Sequence, residues 1–199
     1  MILTELTSVP TAVLPVAEFR DHLRLGSGFA DDALQDAVLD TCLRAAISAI
    51  EARLGKALIT RSFLWSLAAW RDLGRQVLPV APVDAVSEVK IVDQSGSESV
   101  VDSSAYRLIK DTHRPVLAAT SLILPTIPVG GAAEIQFTAG YGTAWSDLPA
   151  DLARAVFLLA AHYYEHRHEV ASDGTVMPWG VSVLIERYRQ VRIFGGGRR

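Results

Sequence analysis

Apolar residues in the first third of the chain recur with the period of a helix. This spacing predicts a short helix over about residues 16–25 and a long helix over about residues 31–54. The long helix has a wide apolar face, which is typical of a helix that packs against more than one partner, and Gly55 is suited to end it. Residues 1–15, with two prolines and one charged side chain, are expected to form an extended arm.

The period of the pattern changes to two between residues 60 and 142. Phe63 and Trp65 occupy alternate positions of one run, and Ile135 and Phe137 occupy alternate positions of another. Prolines, glycines and aspartates separate these runs, as they do where turns join strands. The stretch is therefore predicted to form a small antiparallel sheet, sandwich or barrel.

Helical spacing returns in the last quarter of the chain. Pro149 suits a first turn and opens a helix predicted to reach about residue 170, apolar on nearly all sides as far as Tyr164. A last helix is predicted over residues 181–193. Residues 195–199, three glycines and two arginines, are expected to form a flexible basic tail.

These stretches predict an α+β protein: a helical bundle of about four helices with an inserted small antiparallel β domain. Neither helical half can bury its apolar face alone, so the N- and C-terminal segments are expected to pack together. The predicted boundaries are 1–59 for the arm and first helices, 60–142 for the β domain, 143–194 for the last helices and 195–199 for the tail.

Charge is divided unevenly between the body of the chain and its C-terminus. Residues 1–186 hold 14 basic and 22 acidic side chains, whereas five arginines and no acidic residue follow Glu186. A protein that binds duplex DNA usually carries a basic face over its fold, so this distribution favours a tail that docks on an acidic partner. The single cysteine excludes a disulfide within the chain.

Several local strings occur in a fixed order along nearly the whole chain. They include HLRL at 22–25, IEARLGKAL at 50–58, LPVAPV at 78–83, FTAGYG at 137–142 and HYYEHR at 162–167. In this order and at this length, they resemble the head–tail connector (adaptor, or head-completion) proteins of tailed phages, a family that includes the adaptors of phage-like gene transfer agents.

The resemblance implies a structural protein, not an enzyme, made in the bacterial cytoplasm and located at the head–tail junction of a virion or phage-like particle. It implies a homo-oligomeric ring, usually of twelve copies, that binds the portal protein on one side and a stopper or tail-terminator protein on the tail side. Packaged double-stranded DNA would pass through the channel without sequence-specific binding, and an acidic body suits such a channel because a basic wall would hold phosphates. No catalytic residue, cofactor, metal or membrane contact is implied.

Two sets of residues are candidates for contacts in such an assembly. Trp145 and Trp179 flank predicted loops and are the candidates for intersubunit anchors. The C-terminal set is expected to bind the portal, because arginines beside flexible glycines can form forked bonds to carboxylates. This set comprises Arg187, Arg189, Arg192, Phe194, Arg198 and Arg199.

Two other interpretations stay open. The segment from His162 through Glu165 to His166 has the pattern H-x-x-E-H, in which two imidazoles on one helix face hold zinc and the glutamate acts as general base. A zinc metallohydrolase is therefore one alternative, with His168 and Glu169 as further candidate ligands. The other alternative is a DNA-binding accessory protein that uses the basic C-terminal tail.

Overall fold

The helices lie close to the positions that the sequence predicts. The computed structural model describes residues 1–25, 32–167 and 177–189. Gly55 follows the second helix with a φ of 66°, a left-handed conformation that glycine adopts without strain. The helices are α1 (Val16–His22), α2 (Asp32–Leu54), α3 (Ala150–Glu165) and α4 (Trp179–Ile185).

All four helices contribute to one common core. α2 packs along α3, α1 contacts α2, and α4 contacts α3. Phe19, Leu43, Leu159 and Ile185, one from each helix, are almost fully buried in this core. The prediction that the N- and C-terminal segments form a single helical bundle is therefore confirmed.

In the described part of the chain, eight strands form two antiparallel sheets. They are β1 (Ile2–Glu5), β2 (Arg61–Leu67), β3 (Arg75–Val77), β4 (Val83–Val92), β5 (Glu98–Val100), β6 (Tyr106–Ile109), β7 (Val116–Ala119) and β8 (Ala132–Ala139). The larger sheet has the strand order β1-β2-β8-β4-β5, and the smaller sheet has the order β3-β7-β6. Trp65, Val89, Leu117 and Phe137 belong to a second core that includes residues of both sheets. The predicted α+β fold class is confirmed.

The N-terminal arm joins the larger sheet. Its residues 2–5 form β1, which pairs antiparallel with β2. Arg44 of α2 holds the residues that follow, because its guanidinium donates to the carbonyl of Val9 at 2.8 Å and to the hydroxyl of Thr11 at 2.9 Å. The sheet thus takes one strand from outside residues 60–142, and the proposed domain boundaries stay a prediction.

The chain leaves the helical bundle and returns to it at one place. The N–H of Thr60 donates to the carbonyl of Gly142 at 2.8 Å, and the N–H of Tyr141 donates to the carbonyl of Leu58 at 3.1 Å. The outgoing and returning segments therefore lie side by side. Gly140, with a φ of 148°, has no room for a side chain here, since a Cβ atom would lie 2.3 Å from the Cα of Thr60.

The last helix is shorter than predicted. α4 ends at Ile185, one 3-10 turn covers Glu186–Tyr188, and Arg189 is extended, with a φ of −68° and a ψ of 140°. The predicted helix over residues 181–193 is therefore wrong in its extent. The reason is a contact distant in sequence: the hydroxyl of Tyr188 donates to Oδ1 of Asp151, in the first turn of α3, at 2.6 Å.

Candidate assembly surfaces

Two members of the predicted C-terminal binding set lie in the described part of the chain, and both make contacts within it. Nε of Arg187 lies 2.9 Å from Oδ2 of Asp151, and its guanidinium carbon lies 4.7 Å from the ring centroid of Tyr188. Arg189 forms an exposed ion pair with Glu186 at 3.0 Å. The role of this set at the portal stays a prediction. Arg192, Phe194, Arg198 and Arg199 lie outside the described residues.

A half-buried polar cluster joins the end of the 3-10 turn to the start of α3. Tyr188 contacts Asp151 through its hydroxyl and meets the ring of Tyr141 edge to face, with centroids 6.3 Å apart. Burial raises the pKa of Tyr141 to about 12, and the neighbouring Tyr188 and Asp151 contribute to the rise. Because these contacts lie next to the chain crossing at Tyr141, the chain beyond Arg189 starts from a well-defined point on the helical bundle.

The two tryptophans predicted as intersubunit anchors have different surroundings. Trp145 stacks on Phe157, with ring centroids 5.5 Å apart, and packs against the helical core. Trp179, at the start of α4, is 82% exposed, and Val183, one turn later on the same face, is exposed as well. Ile185, on the opposite face of α4, is buried. The side chain of Trp179 is therefore free to contact a neighbouring subunit, whereas that of Trp145 packs inside its own subunit.

A group of exposed apolar residues, which the sequence did not predict, lies where β3 begins and β7 ends in the smaller sheet, at the end of β3 opposite to the bridge between Lys56 and Ala81 beside the helical bundle. Leu73, in the β2–β3 loop, and Leu122 and Ile123, in the β7–β8 loop, are all exposed, Leu122 by 92%. The N–H of Leu124 donates to the carbonyl of Leu73 at 2.7 Å, so the two loops are adjacent. The signal in the sequence is the apolar run 122–124 between two strands, where a polar turn is usual. The exposed apolar side chains of the two adjacent loops make this a candidate interaction surface.

The H-x-x-E-H segment lies at the end of α3. The rings of His162 and His166 have centroids 4.3 Å apart, and Nδ1 of His166 lies 2.9 Å from the carbonyl oxygen of His162. Among residues 1–25, 32–167 and 177–189, no three His, Cys, Asp or Glu side chains are grouped as metal ligands. His168 and Glu169 fall outside these ranges. The zinc alternative therefore receives no ligand set from the described residues.

A cavity of about 530 Å³ lies beside this segment, between α2, α3 and α4. Its walls include Arg53, His162, Tyr163 and Ser182, together with apolar side chains.

The described helices include none that is long and apolar enough to cross a bilayer.

Three solved structures are similar to this chain over nearly its whole length. The neck of an empty gene transfer agent (GTA) particle, computed with C6 symmetry, matches with a TM-score of 0.89 and 55% identity. The virion of a native GTA particle matches with a TM-score of 0.86 and 54% identity, and the neck of a native GTA particle, computed with C12 symmetry, with 0.85 and 52%. Each match covers 98% of this chain and 99% of the other. No protein-family model and no curated protein matches.

These matches show that the chain is a structural component of a phage-like particle. More than half of the residues are identical to those of the matched structures over almost the entire length. The chain belongs to the family of neck proteins of gene transfer agent particles. Its role is that of a structural head–tail connector, located at the head–tail junction.

Proposed function

We propose that this connector forms a ring of about twelve copies on the portal vertex and joins the DNA-filled head to the tail without a catalytic step. The observation that carries the proposal is the 52% identity, over 98% of the chain, to the neck of a native GTA particle computed with C12 symmetry. A closed ring of one kind of subunit provides a central channel, through which double-stranded DNA passes without sequence-specific contacts.

The outer face of α4 supports a contact between subunits. A ring with rotational symmetry needs two different patches on each subunit, one of which meets the other on the next copy. Trp179 and Val183 offer an exposed apolar patch on a helix whose other side is fixed to the core. Large aromatic side chains contribute strongly to the free energy of binding when a partner buries them. Trp179 is the stronger anchor candidate, because Trp145 is stacked on Phe157.

The two ends of the subunit suit different neighbours. At the helical end, residues 190–199 continue from the point fixed by Tyr188 and Asp151, and their three arginines suit an acidic portal surface. At the other end, the exposed side chains of Leu73 and Leu122 suit an apolar contact with a stopper or tail-terminator protein.

A pull-down on the assembled portal ring from the same gene cluster tests the proposal. The full chain is compared with a chain truncated after Gln190 and with a full-length control in which Arg192, Arg198 and Arg199 are each changed to glutamine. Binding by the full chain alone supports a contact made by the arginines. Binding by the full chain and the glutamine control, but not by the truncated chain, assigns the contact to the uncharged part of the tail.

Binding by all three forms keeps the connector on the portal and moves the contact to the helical bundle. Binding by none of them contradicts the proposal. Zinc analysis and salt-dependent binding of duplex DNA then decide between the two alternative functions.

A further inference from the structure

We infer that β5 of one subunit pairs in parallel with β1 of the next subunit, so that the larger sheets join into a continuous β-belt around the ring. This inference rests on the proposed ring and names the edge strands through which neighbouring subunits would contact each other. β1 and β5 are the two edge strands of the larger sheet and lie at its opposite edges. A heterologous contact of this kind, repeated by rotation, generates a ring.

The direction of pairing follows from the strand order. Every neighbouring pair in the order β1-β2-β8-β4-β5 is antiparallel, so β1 and β5 point the same way. Neighbours in a twelve-fold ring differ by only a twelfth of a turn, which keeps the strands of adjacent subunits close to the same direction. If β5 of one copy pairs with β1 of the next, the pairing is therefore parallel.

The backbone groups on both edges alternate between an inner and an outer partner. The N–H of Leu6 donates to the carbonyl of Ser62, so the groups of Leu3 and Glu5 face outward from β1. On the other edge, the N–H of Val101 donates to the carbonyl of Val89, so the groups of Glu98 and Val100 face outward from β5.

These outward groups fit one parallel register. When Leu3 lies opposite Ser99, its N–H reaches the carbonyl of Glu98, and its carbonyl accepts from the N–H of Val100. In this register each strand contributes one N–H donor and one carbonyl acceptor to the contact.

The side chains on these edges permit close approach. Leu3 and Val100 are 40% and 63% exposed, so pairing would cover apolar surface on both sides. The carboxylate of Glu5 lies 2.9 Å from Nε of Arg61, and that of Glu98 lies 3.1 Å from Nζ of Lys90. Each acidic group is thus neutralised within its own subunit. Lysine and proline, which commonly block exposed edge strands, occur in neither strand.

Disulfide cross-linking on the portal tests the inference. The double variant Leu3→Cys/Ser99→Cys is assembled on the portal ring, oxidised and run on a non-reducing gel. We expect a ladder of covalent multimers that is absent from both single variants. A disulfide within one subunit is excluded, because four strand spacings separate β1 from β5 by about 19 Å and a disulfide needs Cα atoms closer than about 7 Å. The native Cys42 is buried.

A proline variant gives an independent readout. Leu3→Pro removes an outward N–H and leaves the pairing of β1 with β2 intact, so the free subunit should keep its melting temperature. Thr4→Pro, the matched control, removes an inward N–H and should lower that temperature. We expect Leu3→Pro to weaken ring formation about fivefold or more at each interface.

The outcomes separate this inference from the proposed function. A cross-linked ladder and loss of the ring in Leu3→Pro support the β-belt. A portal-bound ring that shows no ladder and tolerates Leu3→Pro overturns the β-belt and leaves the connector role in place. Absence of any ring on the portal, with the wild-type chain as well, overturns both.

Discussion

Glu51 and Arg61 form a two-pronged ion pair at the place where the chain passes from the helices to the sheet. Nη1 and Nη2 of Arg61 donate to Oε1 and Oε2 of Glu51 at 2.9 and 2.6 Å, and each side chain is only 10% exposed. Oε1 of Glu51 also accepts from the N–H of Leu58 at 2.6 Å. The pair thus joins the end of α2 to the start of β2.

Breaking this pair should destabilise the protein strongly. Arg61→Met leaves the carboxylate of Glu51 buried without its cation, and we expect the free energy of unfolding in urea to fall by about 3–5 kcal/mol. The double variant Glu51→Leu/Arg61→Met should recover most of the loss. The control is Asp84→Asn on the exposed Asp84–Lys110 pair, which should change stability by less than about 1 kcal/mol. A similarly small change for Arg61→Met would contradict the prediction.

Gly140 should not tolerate a side chain. In Gly140→Ala the new Cβ would meet the backbone of Thr60, and the φ of 148° is unfavourable for alanine, so we expect a loss of about 3–5 kcal/mol in unfolding free energy. Gly180→Ala is the matched control, since a Cβ there meets nothing within 4 Å and lies in α4. It should leave stability unchanged or slightly raised. Equal effects of the two substitutions would rule out the crowding at the chain crossing as the cause.

Lys56 should make stability depend on pH. The side chain is 2% exposed, and Nζ donates to the carbonyl of Thr112. Burial lowers the pKa of Lys56 from 10.5 to about 8, and Asp111 opposes the shift. Between these two values the unfolded chain binds more protons than the folded one, so the contribution of Lys56 to stability rises as the pH rises.

The measurement is the difference in unfolding free energy between wild type and Lys56→Met at pH 7 and pH 10. The wild type should gain about 1–3 kcal/mol relative to the variant between these values. Lys110→Met, which removes an exposed lysine, is measured in parallel as the control. A difference for Lys56→Met that does not change with pH would refute the lowered pKa.

The two tryptophans should respond differently to truncation. Trp179→Ala should leave the melting temperature of the free subunit almost unchanged and should reduce ring formation on the portal, as seen by negative-stain microscopy. Trp145→Ala removes the stack on Phe157 and should cost about 2–4 kcal/mol in unfolding free energy. Rings formed normally by Trp179→Ala would exclude that side chain as an intersubunit anchor.

The sequence predicted those elements that bury one face and expose the other. β8 shows this best. Its residues alternate strictly between buried and half-buried positions, so apolar and polar residues alternate in its sequence. β1 gives no such signal, since all four of its residues are exposed and its partner strand lies about sixty residues further along the chain.

Contacts distant in sequence set the remaining limits. In the sequence Tyr188 continues the helical spacing of α4. In the structure it lies in a 3-10 turn and bonds to Asp151, a contact that the local periodicity does not reveal. The assembly candidates are limited in the same way. The sequence predicted Trp145 and Trp179 equally as anchors. Only the structure distinguishes them, because Phe157 packs against Trp145 while Trp179 is exposed.

The N-terminal segment has a mechanical consequence. It is attached to the sheet through β1 and to α2 through the bonds from Arg44 to Val9 and Thr11. Twisting the sheet against the helices about the crossing at Gly140 would have to tear one of these attachments. We therefore expect the sheet and the helical bundle to move as one unit, so that in the proposed ring a torque applied to the sheet would reach the helices.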